Sequence, residues 1–138
     1  MVRRVVLVCG PPGAGKTTLA RSLGLEVYDI DDERWGNSEA VFRRHIAKLN
    51  SDLHARAVVI RSGSTRTARA RNVSLIGATE TRVVDTSEAE CIRRVIDRNR
   101  PRPPMRVQIA AIKTWWRKYE PEIPSDVTQT TGVTIRDW

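Results

Sequence analysis

The chain has 138 residues, 40% apolar and 29% charged, enough for one domain around one core and too few for two ordinary domains. Its 24 Lys+Arg outnumber its 16 Asp+Glu to give a formal net charge of +8, which favours partners that carry negative charge. No stretch approaches the roughly eighteen apolar residues of a membrane span, so no membrane partner is expected, and a cytoplasmic, intracellular location is.

Residues 3–9 put two arginines before a continuous apolar run, as in a strand buried on both faces. The run is too short for a signal peptide and has no small-residue cleavage site after it. It leads directly into Gly10-Pro11-Pro12-Gly13-Ala14-Gly15-Lys16-Thr17, the full G-x-x-x-x-G-K-[ST] form of a phosphate-binding loop. Glycines let such a loop curl so that its N–H groups face phosphate oxygens. A helix predicted from Lys16 to Leu23 adds its positive N-terminal end, and Gly24 stops it. Residues 10–17 with Thr18 are therefore the expected site of ATP or another nucleoside triphosphate. In it Lys16 reaches the β- and γ-phosphates and the Thr17 hydroxyl ligates Mg²⁺.

Residues 25–30 read as a second strand ending in acids. Glu26, Asp29, Asp31, Asp32, Glu33 and Glu39 make 26–39 the one acidic stretch of a basic chain. Asn37 or Ser38 caps a helix predicted to about Leu53, with Val41, His45, Ile46, Leu49 and Leu53 near helical spacing. Ala57–Ile60 is a third strand, and 64–76 an arginine-rich helix. Residues 82–85 form a fourth strand, and Ser87 with Glu90 makes a capping box for a helix through about Arg98. Pro101, Pro103 and Pro104 break the chain. A last helix runs from about Arg106 to Tyr119, with Ile109, Ile112, Trp116 and Tyr119 on one face. The tail, 120–138, contains Val127 and Val133–Ile135, a weak extra strand or a partly mobile end. Cys9 and Cys91 lie in apolar stretches and read as free buried thiols, although sequence does not separate that reading from a disulfide. His45 and His54 have no partner at metal-ligand spacing. Trp115, Trp116 and Tyr119 read as core rather than as base-stacking residues.

Strands alternating with helices require crossovers and hence a parallel sheet. The expected fold class is α/β, a three-layer P-loop NTPase fold with a four- to five-stranded, mainly parallel sheet flanked by helices, in a single domain over 1–138. Ligands of such sheets bind beyond the C-terminal ends of the strands. There lie the glycine loop, Asp29 to Arg34, Arg61 to Arg66, and Asp85.

The element Asp31-Asp32-Glu33-Arg34 after the second strand resembles the Asp-x-x-Arg element of the phage-type 5′-polynucleotide kinases and their zeta-toxin-like relatives among the P-loop kinases. The resemblance implies that Asp31 is the general base for an accepting hydroxyl and that Arg34 holds an acceptor phosphate. It also implies arginines on the helix after Asp85, Arg94 and Arg98 matching best, within a lid over about 93–106 that closes on the transferring phosphoryl group. Trp35, beside the proposed base, and Arg66, after the third strand, complete the expected acceptor contacts. One departure stands out: the resemblance calls for an aspartate at the end of the third strand, and Ser62 stands there. A serine can hydrogen-bond a metal-bound water but supplies no charge.

The leading expectation is thus ATP- and Mg²⁺-dependent phosphorylation of a 5′-hydroxyl on a nucleic-acid end. The alternatives are a small-metabolite or nucleoside/nucleotide kinase, and an ATPase or nucleotide-binding module that transfers nothing.

Overall fold

The computed structural model describes residues 2–122; the expected tail strand at Val133–Ile135, Val127 and Trp138 lie outside the described residues. Four strands form one all-parallel sheet in the order β2-β3-β1-β4: β1 (Arg4–Cys9), β2 (Glu26–Tyr28), β3 (Arg56–Arg61) and β4 (Glu80–Val83). The helices are α1 (Lys16–Ser22), α2 (Glu39–Ala47), α3 (Arg66–Ile76), α4 (Glu88–Arg98) and α5 (Met105–Lys118). The architecture is the expected α/β one.

Alternation along the central strands builds the layers. In the β1–β3 register Val5 pairs with Ala57 and Val6 with Val58, so odd and even positions of both strands point to opposite faces. The odd face, Val5, Leu7, Cys9, Ala57 and Val59, packs on Phe42 and Ile46 of α2, Ile76 of α3 and Trp115 of α5. On the even face, Val6, Val8, Val58 and Ile60 pack around Ala20 of α1. A third cluster joins Cys91 and Val95 of α4 to Ile112 of α5 beside Ala14 of the glycine loop. Both cysteines are buried free thiols, and burial pushes the Cys9 thiol up to about 12.

The caps act where the residue types predict. Ser38 accepts the Val41 N–H at 3.1 Å, Thr65 that of Ala68 at 3.1 Å and Ser87 that of Glu90 at 3.2 Å. Such caps contribute about 1 kcal/mol each. The Ser87 box closes on one side only, because the Glu90 carboxylate is taken by Arg93 and Arg94.

Two boundaries and one buried helix face differ from the sequence reading. The second helix ends at Ala47 and tightens into a 3₁₀ turn over Lys48–Ser51, which leaves Leu53 79% exposed while Phe42 and Ile46 are fully buried. β4 begins two residues early because its pairing with Val6–Cys9 of β1 sets its register. α5 buries Gln108, Ile112 and Trp115, a face shifted from the one predicted. The Gln108 amide is buried because it ties the proline loop, donating to the carbonyls of Pro103 at 2.6 Å and Arg100 at 3.3 Å.

Candidate active site

The strand order places the site. β1 and β3 are neighbours, yet the chain leaves β1 towards β2 and leaves β3 towards β4. Connections that diverge in this way open a crevice at the C-terminal ends of the strands. A cleft of ≈ 650 Å³ lies there, floored by the glycine loop.

Backbone demands fix the loop. Gly13 and Gly15 adopt φ of 78° and 99°, values that L side chains rarely hold. A Cβ on Gly10 would stand 2.7 Å from the Val84 carbonyl oxygen. The loop carbonyls are engaged from α4 and the turn before it: the Thr86 hydroxyl donates to Ala14 O at 2.8 Å, and Arg94 donates to the same oxygen at 3.2 Å. Lys16 curls over its own loop and donates to Gly10 O at 2.6 Å. Burial pushes its ammonium below the usual 10.5, and Cys9, Asp29 and Asp31 pull it part of the way back. A mostly buried cation held by one carbonyl is poised to receive an anion.

The cleft has two sides. Asp29 and Asp31 beyond β2, with Arg61 and Ser62 at the end of β3, line one; Arg98, Arg100 and Arg102 of the lid line the other. Asp29 Oδ1 accepts the Asp31 N–H at 3.0 Å, which fixes the turn that carries Asp31 into the cleft. The Asp31 carboxylate forms no ion pair among the described residues, and neither do the three lid arginines. Burial lowers the pKa of Arg98, helped by repulsion from Arg100 and Arg94. The Ser62 carbonyl is occupied, accepting the Gly10 N–H at 3.1 Å and the Trp115 indole N–H at 2.7 Å.

The expected site residues therefore separate. Lys16, Thr17, Thr18, Asp31 and Arg98 share the cleft. Arg94 lies outside its lining, between Glu90 at 3.0 Å and the loop carbonyls. Arg34 donates to Val27 O at 3.0 Å, pairs with Asp32 at 3.4 Å and stacks over the Trp35 ring at 4.5 Å. Trp35 is only 6% exposed and belongs to the core, edge-on to Phe42. Arg66 is engaged by the segment after α5, through Glu120 and Pro121. None of Arg34, Trp35 and Arg66 lines the cleft. Arg100 and Arg102, which fall with Arg98 in the lid expected over about 93–106, line it as well.

Among the described residues no cluster of three or more His, Cys, Asp or Glu side chains could hold a metal ion. Mg²⁺ in such sites binds through one or two carboxylates together with substrate phosphates and waters. Thr17, Asp29 and Asp31 in one cleft are a donor set of the right hard-oxygen type.

No protein-family model matches the chain, and no curated protein matches it significantly. Solved structures do. A sugar kinase from Janibacter sp. HTCC2649 is 20% identical, with a TM-score of 0.60 over 90% of this chain and 82% of its own. A gluconokinase from Sinorhizobium meliloti 1021 is 19% identical, with a TM-score of 0.55 over 91% and 78%. A shikimate kinase from Acinetobacter baumannii, in complex with shikimate, is 22% identical, with a TM-score of 0.50 over 99% and 88%. At such identities the likeness is one of fold: the chain has the fold of the P-loop kinases.

Proposed function

We propose that the protein is an ATP-dependent kinase that transfers the γ-phosphoryl group to a hydroxyl of a small molecule. The observation that carries this reading is the meeting in one cleft of Lys16, Arg98 and the unpaired Asp31. The glycine loop cradles the phosphates, and Lys16 leaves Gly10 O for the β- and γ-oxygens. Asp31 accepts the hydroxyl proton as the acceptor oxygen bonds to the γ-phosphorus. The bond from that phosphorus to the β–γ bridging oxygen breaks, and ADP keeps its electron pair. Lys16 and Arg98 stabilise charge on the moving phosphoryl group, and Arg94 steadies the loop from outside. Thr17, with Asp29, would hold the Mg²⁺ that comes with the triphosphate and supplies further positive charge to its oxygens.

The acceptor is read as small because the structural neighbours named as kinases carry small-molecule names. The side chains expected to grip a polynucleotide, Arg34, Trp35 and Arg66, also lie outside the cleft. One observation favours a nucleic-acid end instead. Arg106, Lys113 and Arg117 share an exposed face of α5, and no acid occurs between Asp97 and Glu120. Labelled ATP offered with a panel of oligonucleotides and small hydroxylated molecules separates the two. Transfer to oligonucleotides alone would sink the small-molecule reading, and hydrolysis without transfer to any acceptor would sink both.

A further inference from the structure

The two sides of the cleft differ in what their charges are free to do. On the lid side Arg98, Arg100 and Arg102 form no ion pair among the described residues, and with Lys16 they face the place of the triphosphate. On the side of β2 and β3, Arg61 is the cation among the described lining residues, and it is already neutralised. Its guanidinium forms a two-pronged pair with Glu39, Nη1 to Oε1 at 3.3 Å with a second bond from Nη2 to Oε2. It also lies over the Phe42 ring, 5.3 Å from the centroid, with its side chain 15% exposed. A bidentate, stacked arginine is held in place and has little to offer a second anion. Glu39 belongs to the first turn of α2, where the helix end favours a carboxylate. Arg34 and Arg66, the other basic side chains expected on this side, are engaged elsewhere. Once Arg61 and Glu39 cancel, the carboxylates of Asp29 and Asp31 remain.

We infer that this half of the cleft selects against anionic acceptors and that Glu39, by capping Arg61, is the specificity-determining residue. The acceptor is a hydroxylated small molecule that is neutral or carries an ammonium group. The identification of this half as the acceptor side rests on the kinase reading above; the charge state of the pocket does not. An acidic acceptor brought against Asp31 would find no unpaired cation on this side of the cleft to offset the repulsion, and like charges brought together in a pocket are a strong means of rejection. Removing the Glu39 charge frees Arg61 and reverses the preference.

The test fills the nucleotide half with a non-hydrolysable ATP analogue and Mg²⁺, then titrates inorganic phosphate by calorimetry. The wild type is expected to show no saturable binding of this second anion. Glu39→Gln is expected to bind it saturably, at least about tenfold more tightly than the weakest affinity the titration resolves, and Glu39→Gln with Arg61→Met to lose it again. A thermal melt establishes that each variant is folded, and Glu39→Ser carries the same arm if the glutamine variant is not. Saturable phosphate binding by the wild type, or no gain in a folded Glu39 variant, overturns the inference. A transfer assay with a matched alditol, aldonate and amino alditol reads the same preference, and best transfer to the aldonate by the wild type would also overturn it. If the analogue itself fails to bind, the kinase reading is what falls; if it binds and the phosphate arm fails, the acceptor inference is.

Discussion

The phosphate loop and the acceptor side of the cleft are a few residues apart in space and are built in opposite ways. The loop is local: eight consecutive residues, two of them in backbone conformations only glycine holds easily, with Lys16 and the lid arginines facing the cleft. The acceptor side is assembled from afar. Asp29 and Asp31 come from the end of β2, Arg61 and Ser62 from β3, and Glu39 reaches Arg61 from 22 residues away. On the proposed reading the loop holds the triphosphate through its own backbone, while selectivity for the acceptor rests on which long-range pairs neutralise which charge.

The largest effect that would break this contrast is at Lys16. Lys16→Met is expected to lower phosphoryl transfer by about 10³-fold or more, since a preorganised group on the transferring phosphoryl contributes on that scale. Single-turnover transfer from labelled ATP reads it, and a loss under tenfold would show that the cation is dispensable. Next come two arginines on opposite sides of the distinction. Arg98→Ala is expected to cost about 10²-fold in transfer. Arg34→Ala, which removes a group packed on Trp35 outside the cleft, should leave transfer within about threefold and show mainly in the melting temperature. Equal losses in the two would erase the proposed boundary of the site.

Gly10→Ala sharpens the contrast from the backbone side. Its Cβ would stand 2.7 Å from Val84 O, so loop or strand must shift, costing about 1–3 kcal/mol in denaturant melts. Unchanged stability would mean that the loop is looser than its contacts suggest.

The smallest effect is one of pH. Burial holds Lys16 below 10.5 in the free protein, so the unfolded chain binds that proton more tightly. Lys16 therefore makes stability rise with pH from its lowered pKa up to 10.5. A bound triphosphate favours the charged form, so nucleotide affinity falls as pH rises through the free protein's lowered value. Calorimetry across that range should show the decline in the wild type and none of it in Lys16→Met; identical profiles would remove Lys16 as its source.

Much of the fold was legible because its signals are local. The apolar run before Gly10, the serine and threonine caps and the break at three prolines each specify an element within a few residues. What sequence did not show was decided by contacts distant along the chain. Trp35 beside Asp31 looked like an acceptor contact, yet Tyr28, Phe42 and His45 draw it into the core. Arg34 matched a motif, but the Val27 carbonyl and two aromatic faces hold it outside the cleft. Arg69 reads in sequence only as one of several arginines in an arginine-rich helix. It is 2% exposed, bonded to Gly63 O at 2.9 Å and to Glu122 at 2.9 Å, and it pins the end of α5 to the turn after β3. Ser62 supplies no charge where the resemblance calls for an aspartate; the fold puts its carbonyl to use by joining the Gly10 N–H to the Trp115 indole.

Asp31 is proposed to take the hydroxyl proton in a cleft whose phosphate loop works without it. Asp31→Asn, measured for nucleotide binding by calorimetry and for transfer under single turnover, tests this directly. Nucleotide affinity is expected to stay within about threefold of wild type and transfer to fall by about 10²- to 10⁴-fold. Transfer near the wild-type rate, or loss of transfer only in proportion to lost nucleotide binding, would contradict it.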